Sequence, residues 1–176
     1  MSCPFTCEFL QEARKHEPGP PIDPANLPNR DIHITEEKIE ENQELVTFIG
    51  RRVLEASLAV PGVADQDVRE ALDALIRTWR TTQSGIYYES LPQNRLALQV
   101  YRAVAQSLED LRREQSQAGI SRVRTGSVLL ALAFLQRLEL DRNNGRARGR
   151  AFLNLLWDFY GEPPAAAASP SSLILP

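Results

Sequence analysis

Hydrophobic residues recur at helical spacing along most of the chain and predict five long helices. The clearest apolar stripe comprises Val68, Leu72, Leu75, Ile76 and Trp79. Thr35 and Asp65 are predicted N-terminal caps, and Gly119 is a predicted stop. Together these signals predict helices over about 36–60, 66–84, 92–117, 125–142 and 147–160.

These elements predict an all-α fold, an up-and-down bundle of about five helices. Most connections are short, so consecutive helices are expected to pack side by side and antiparallel. The fourth helix is apolar on every side from Val128 to Leu135 and is expected to be central. The bundle is assigned to residues 34–161. A short helix and a Pro-rich extended segment are predicted within residues 1–33, and a flexible tail over 162–176.

Length and composition fit one ordinary globular domain of 176 residues. The net charge of -3 argues against a chain that coats nucleic acid, so a nucleic-acid partner is not expected. The longest apolar run is too short to cross a bilayer, and no basic-then-apolar leader is visible at the N-terminus. A cytoplasmic protein without membrane contact is therefore expected.

Residues with typical catalytic or metal-binding chemistry are few. Cys3 and Cys7 lie one helical turn apart. Together with His16 and His33 they would complete the four ligands of a zinc site. The tight cysteine pair and matching histidine pair of common zinc sites are missing, so ordinary packing is favoured. No nucleophile with a credible histidine partner is found, and no cofactor is expected.

Four carboxylates form the sharpest enzymatic pattern. Glu41-x-x-Glu44 is followed, after 25 intervening residues, by Glu70-x-x-Asp73. The pattern resembles the metal-binding motif of the all-α nucleotide pyrophosphatases, which implies four carboxylates that hold Mg²⁺ for hydrolysis of a nucleoside triphosphate. Helical rotation, however, turns Glu41 and Glu70 off the apolar stripes, and Asp73 is expected to pair with Arg77 one turn later. A solvated acidic face is the favoured interpretation.

Two further groups of residues are candidate binding surfaces. In the first, arginines around Asn143-Asn144-Gly145 and free N–H groups at the start of the fifth helix form a candidate site for an anion or an acidic partner, although a solvated arginine loop is the favoured interpretation. This arginine loop comprises Arg142, Arg146, Arg148 and Arg150. The second lies at the connection between the second and third helices and comprises Arg77, Trp79, Arg80, Tyr87, Tyr88 and Arg95. There, one tyrosine ring is expected to cover the bundle end while the other is exposed.

The favoured function is a non-enzymatic protein–protein interaction domain, with a homodimer as its expected form. The fifth helix supports this because its apolar face is wider than one side of a small bundle needs, and Trp157 and Tyr160 are the predicted dimer contact. Charge also separates along the chain: residues 31–73 hold eleven acidic and four basic residues, and residues 112–150 hold nine arginines and three acidic residues. Two alternatives stay open, namely the metal-dependent pyrophosphatase and an anion- or nucleic-acid-binding module built on the arginine loop.

Overall fold

The computed structural model describes residues 27–119 and 123–161, and these ranges form helices without any strand. The all-α prediction is therefore confirmed for this part of the chain. The predicted helix near residues 4–15, most of the Pro-rich segment and the predicted tail lie outside the described residues. The helices are α1 Glu36–Glu41, α2 Gln43–Ala59, α3 Asp65–Gln83, α4 Arg95–Gln117, α5 Thr125–Arg142 and α6 Ala151–Tyr160.

The first predicted helix is divided into α1 and α2. Thr35 caps α1 as predicted, and its hydroxyl accepts a hydrogen bond from the Lys38 N–H. Asn42 then leaves the helical conformation, and its side-chain amide donates to the Lys38 carbonyl at 2.8 Å. Because an asparagine side chain offers the backbone an alternative to the helical hydrogen bond, the helix stops there and restarts at Gln43.

The four long helices α2, α3, α4 and α5 form the body of the bundle. Both α2 and α3 pack against α4 and α5, so α2 and α3 occupy diagonal positions. The consecutive helices α3 and α4 pack side by side as expected, whereas α2 and α3 do not. The short link between α2 and α3 keeps their ends close together. The buried face of each of these two helices, however, packs against α4 and α5.

The connection between α3 and α4, residues 84–94, returns along the side of α3. At its end, the Asn94 side-chain amide donates to Asp67 in the first turn of α3 at 2.7 Å. Beyond this point, the Tyr101 hydroxyl reaches Thr78, three turns further along α3. We infer that α4 begins beside the start of α3 and runs in the same direction. Residues 84–94 are called the crossover segment below.

The core agrees with the apolar pattern of the sequence. Ala131, Leu132 and Ala133 are all fully buried, which confirms that α5 is enclosed by other helices. α6 packs across α2, where a Cβ at position 50 would lie 2.6 Å from a ring carbon of Tyr160. Gly50 therefore permits the close approach of the Tyr160 ring to the α2 backbone.

In the part of the chain that the structure describes, none of the helices combines the length and the apolar character that crossing a membrane requires.

Candidate interaction surfaces and the buried polar centre

A charged pair joins α3 to α5 inside the bundle. The Arg69 guanidinium donates two hydrogen bonds to the Glu139 carboxylate, from Nε at 2.7 Å and from Nη2 at 2.8 Å. The Glu139 side chain is 0% exposed, whereas Arg69 keeps 41% of its side-chain surface in solvent. Burial raises the pKa of Glu139, and the bonds from Arg69 oppose that rise. The bidentate geometry is the one in which arginine stabilises a carboxylate best.

Asp65 connects two helices that are distant in sequence. Its carboxylate accepts hydrogen bonds from the N–H groups of Phe152 and Leu153, at 3.0 and 3.1 Å, and so caps the start of α6. The sequence predicted Asp65 as the cap of its own helix, and that prediction is wrong. The N-cap of α3 is Ala64, and Asp67 at the third helical position accepts the Ala64 N–H at 2.9 Å, as the carboxylate of a capping box does.

The arginine loop is tied to the same region. Arg148 donates to the Gly62 carbonyl and lies 3.5 Å from the Asp67 carboxylate. The Asp65 N–H also donates to the Gly149 carbonyl at 2.9 Å. The loop that precedes α6 is therefore fixed against the start of α3 by hydrogen bonds in both directions.

This arrangement changes what the arginine loop can offer to an anion. The N–H groups at the start of α6 already bond Asp65, so the backbone donors expected at this site are occupied. Arg148 is engaged as well, and Arg142 pairs with its neighbour Asp141 at 3.1 Å. Arg146 and Arg150 are exposed. The anion site stays a prediction, and it now depends on side chains at the surface alone.

The four carboxylates of the acidic motif are not brought together. Glu41 and Glu44 line a groove near Ser127, at the start of α5. Asp73 lies beside Gln136, nine residues further along α5, or about 14 Å at the rise of an α-helix. Within the described residues, no group of three or more potential metal ligands is close enough to hold an ion.

Both α3 carboxylates of the motif have partners within the protein. Glu70 accepts the N–H groups of Gln93 and Asn94, at 2.7 and 3.0 Å, and fixes the end of the crossover segment. Asp73 pairs with Arg77 at 3.1 Å, as the sequence predicted. Of the four candidate zinc ligands, only His33 is among the described residues, and it is exposed.

The residues of the second candidate surface do not all lie on one surface. Trp79 is in the core, and Arg77 and Arg95 are exposed. Arg80 forms two hydrogen bonds of 2.7 Å with Asp31 and so anchors the chain before α1. Tyr87 and Tyr88 are 87% and 66% exposed, so neither ring covers the bundle end as expected for one of them.

Sequence reasoning missed the turn at Asn29 that Arg80 helps to hold. Asn29 adopts a positive φ of 55°, and its side chain donates to Gln136 at 2.7 Å. Arg137 donates to the carbonyls of Asn29 and Ile32, both at 2.9 Å. The Pro28-Asn29 pair was the available signal, because asparagine tolerates the left-handed conformation that such turns use.

The crossover segment has one bonded edge and one open edge. Toward α3, the Ile86 N–H donates to the Thr81 carbonyl, and the Thr81 hydroxyl donates to the Tyr88 carbonyl, both at 2.9 Å. The Ser90 N–H donates to the Thr78 hydroxyl at 2.9 Å. In an extended chain, successive residues turn their N–H and C=O groups to opposite sides. The intervening residues Tyr87 and Glu89 make no backbone hydrogen bond to any described residue.

Spacing along α3 agrees with an extended course of this segment. The Tyr88 carbonyl accepts a hydrogen bond from Thr81, and the Gln93 N–H donates one to Glu70. Thr81 and Glu70 are eleven residues apart on α3, which corresponds to about 16 Å. Five residues of the segment, together with the length of the Glu70 side chain, cover that distance, so the segment advances steeply along α3.

On α6, the two predicted contact residues behave differently. The Tyr160 ring packs on Gly50 and is half-buried, so it is used inside the domain. Burial raises the pKa of the Tyr160 hydroxyl, and a hydrogen bond with Thr47 opposes that rise. Trp157 and Phe159 remain exposed.

Comparisons with protein-family models, with curated proteins and with solved structures found no match to this chain.

The buried carboxylates predict a pH dependence of stability. Burial raises the pKa of Asp65 and of Glu139. Between the ordinary and the raised value, the folded protein binds more protons than the unfolded chain, so stability falls as the pH rises through that window. Glu139→Gln stays neutral throughout. In urea titrations, we expect the free energy of unfolding of the wild type, minus that of Glu139→Gln, to decrease as the pH rises above the ordinary pKa of a glutamate. A difference that increases with pH would contradict the raised pKa.

Proposed function

We propose that this chain is a protein-interaction domain that works as a homodimer, and that the crossover segment is its dimer contact. The observation that carries the proposal is the open edge of an extended segment that also exposes apolar side chains. Seven large hydrophobic residues are exposed among the described residues, and four of them lie within residues 86–91. These four are Ile86, Tyr87, Tyr88 and Leu91.

An extended segment with free N–H and C=O groups is a template for pairing with another extended chain. The described part of the domain has no strand of its own that fills this role. A second copy offers the same segment, and two identical edges related by a two-fold axis pair antiparallel, which is the geometry of an isologous dimer. Apolar side chains on the paired segments then become buried, which stabilises the contact.

Tyrosine-rich surfaces suit such a contact. Tyr87 and Tyr88 present large apolar rings with a polar hydroxyl, which is the type of side chain enriched at the centre of interfaces. The backbone beneath them is already fixed to α3 through Thr78 and Thr81. A contact at this surface therefore requires less ordering of the chain on binding than a free loop would.

The test compares two substitutions at one position. Glu89→Pro removes an N–H group that is not bonded to α3, whereas Glu89→Ala shortens the same side chain and keeps that N–H. In sedimentation velocity over a range of protein concentrations, we expect the wild type and Glu89→Ala to form dimers and Glu89→Pro to remain monomeric. At protein concentrations low enough for all three proteins to be monomeric, we expect closely similar melting temperatures, because the bonds to Thr78 and Thr81 remain.

Two results would contradict the proposal. A wild-type chain that is monomeric up to about 1 mM would rule out a functional homodimer. A dimer that persists in Glu89→Pro but is lost in Trp157→Asp would place the contact on the exposed face of α6 instead.

A further inference from the structure

A second surface, distinct from the crossover segment, is a groove at the junction of α1 and α2. Its volume is about 860 Å³. Leu45 and Phe48 of α2, Leu111 of α4 and Val123 before α5 form its apolar lining. These side chains are only partly buried, although three of them pack against the core. The groove therefore presents apolar surface that an additional element would cover. It is called the junction groove below.

Charge on the rim of the junction groove is unevenly placed. Glu40, Glu41 and Glu44 lie on the side of α1 and α2, and all three are exposed. None of them forms an ion pair with another described residue. Arg124 lies on the side of α5. An occupant with basic residues at one end and acidic residues at the other would match both sides.

We propose that the junction groove is occupied by the N-terminal segment of the same chain, residues 3–16. This segment carries Phe5, Phe9 and Leu10 at the spacing of a short amphipathic helix. Glu8 and Glu12 precede Arg14 and Lys15, so acidic and basic side chains are separated along it. In the proposed arrangement, the aromatic side chains of the segment would cover the apolar lining, and its basic end would lie against the glutamates.

The length of the connecting chain permits this placement. The described chain begins at Leu27, two residues before Asn29, which is bonded to Gln136 of α5. Ser127 at the junction groove is nine residues from Gln136, or about 14 Å along α5. Residues 17–26 include four prolines and span up to about 31 Å when extended. The segment therefore reaches the groove without moving the turn at Asn29.

Cross-linking in the full-length chain tests the proposal, because Cys3 and Cys7 are the two cysteines of the sequence. Cys3→Ser leaves Cys7 as the probe on the segment, and Ser127→Cys supplies a partner in the junction groove. The two thiols are joined by a bis-maleimide about 10 Å long, which is enough to reach around one helix. The control is Asp141→Cys, which is exposed on the same helix and only five residues from Gln136. If the segment were only tethered and did not dock, Cys7 would be linked faster to position 141 than to position 127, since position 141 lies closer to the anchored turn at Asn29.

We expect the link from Cys7 to position 127 to form within one chain, at a rate independent of protein concentration and about tenfold above that to position 141. Phe5→Ser with Phe9→Ser should reduce the rate at position 127 to that of the control. Equal rates at the two positions, or a rate unchanged by the double substitution, would overturn the proposal. A link that forms only between chains would also overturn it and would assign the groove to a second copy.

Discussion

Replacing Arg69 with alanine is expected to lower the free energy of unfolding by about 3–5 kcal/mol at neutral pH. The substitution removes both hydrogen bonds to Glu139 and leaves that carboxylate fully buried between helices. An unpaired charge in such a place is destabilising because it has lost water without gaining a partner. Urea unfolding of the two proteins measures the difference.

The double variant Arg69→Met with Glu139→Leu is the matched control for this prediction. It removes both charges and retains side chains of similar size, so we expect its stability to lie within about 1–2 kcal/mol of the wild type. The loss in Arg69→Ala should also shrink toward acidic pH, where Glu139 becomes neutral. An Arg69→Ala variant as stable as the wild type at neutral pH would show that Glu139 obtains another partner.

Replacing Asp65 with alanine is expected to cost about 2–4 kcal/mol and to loosen α6 selectively. Asp65 is 3% exposed, and its loss leaves the N–H groups of Phe152 and Leu153 without their acceptor. A negative charge at the start of a helix is also favourable to the helix dipole, and this contribution disappears. Because α6 is a short helix, hydrogen exchange in residues 151–160 is expected to accelerate more than exchange in α3.

Asp65→Asn separates the loss of charge from the loss of an acceptor. Its amide oxygen still accepts one N–H at the start of α6, so we expect roughly half of the destabilisation and a smaller change in exchange. Uniform acceleration of exchange over all helices in Asp65→Ala would contradict a local role. It would show that the α6 contact is part of the global unfolding unit.

Asp65 also explains why the candidate anion site at the arginine loop lacks free backbone donors. As a candidate anion site, the loop was to combine arginine side chains with free backbone donors. In the structure, Asp65 supplies the negative charge from within the protein, and Arg148 is engaged by Gly62 and Asp67. The same physical preference of a helix start for an anion is satisfied internally.

The sequence by itself determined the helical class, most of the helix limits and the central place of α5. It also determined local features such as the Thr35 cap and the pair of Asp73 with Arg77. These features depend on residues within one or two turns of each other, and the spacing of the residues reveals them directly. The division between α1 and α2 was missed because Asn42 interrupts the helix without disturbing the apolar pattern.

Only the tertiary structure decided which helix each buried carboxylate caps or pairs with. Asp65 and Phe152 are 87 residues apart, and Arg69 and Glu139 are 70 residues apart. The diagonal placement of α2 and α3 and the return of residues 84–94 along α3 likewise depend on faces buried by other helices. A periodic pattern indicates that a face is buried, but it carries no information on what covers that face. The partners of buried charges and the open edge at Tyr87 therefore emerge only when the helices are assembled.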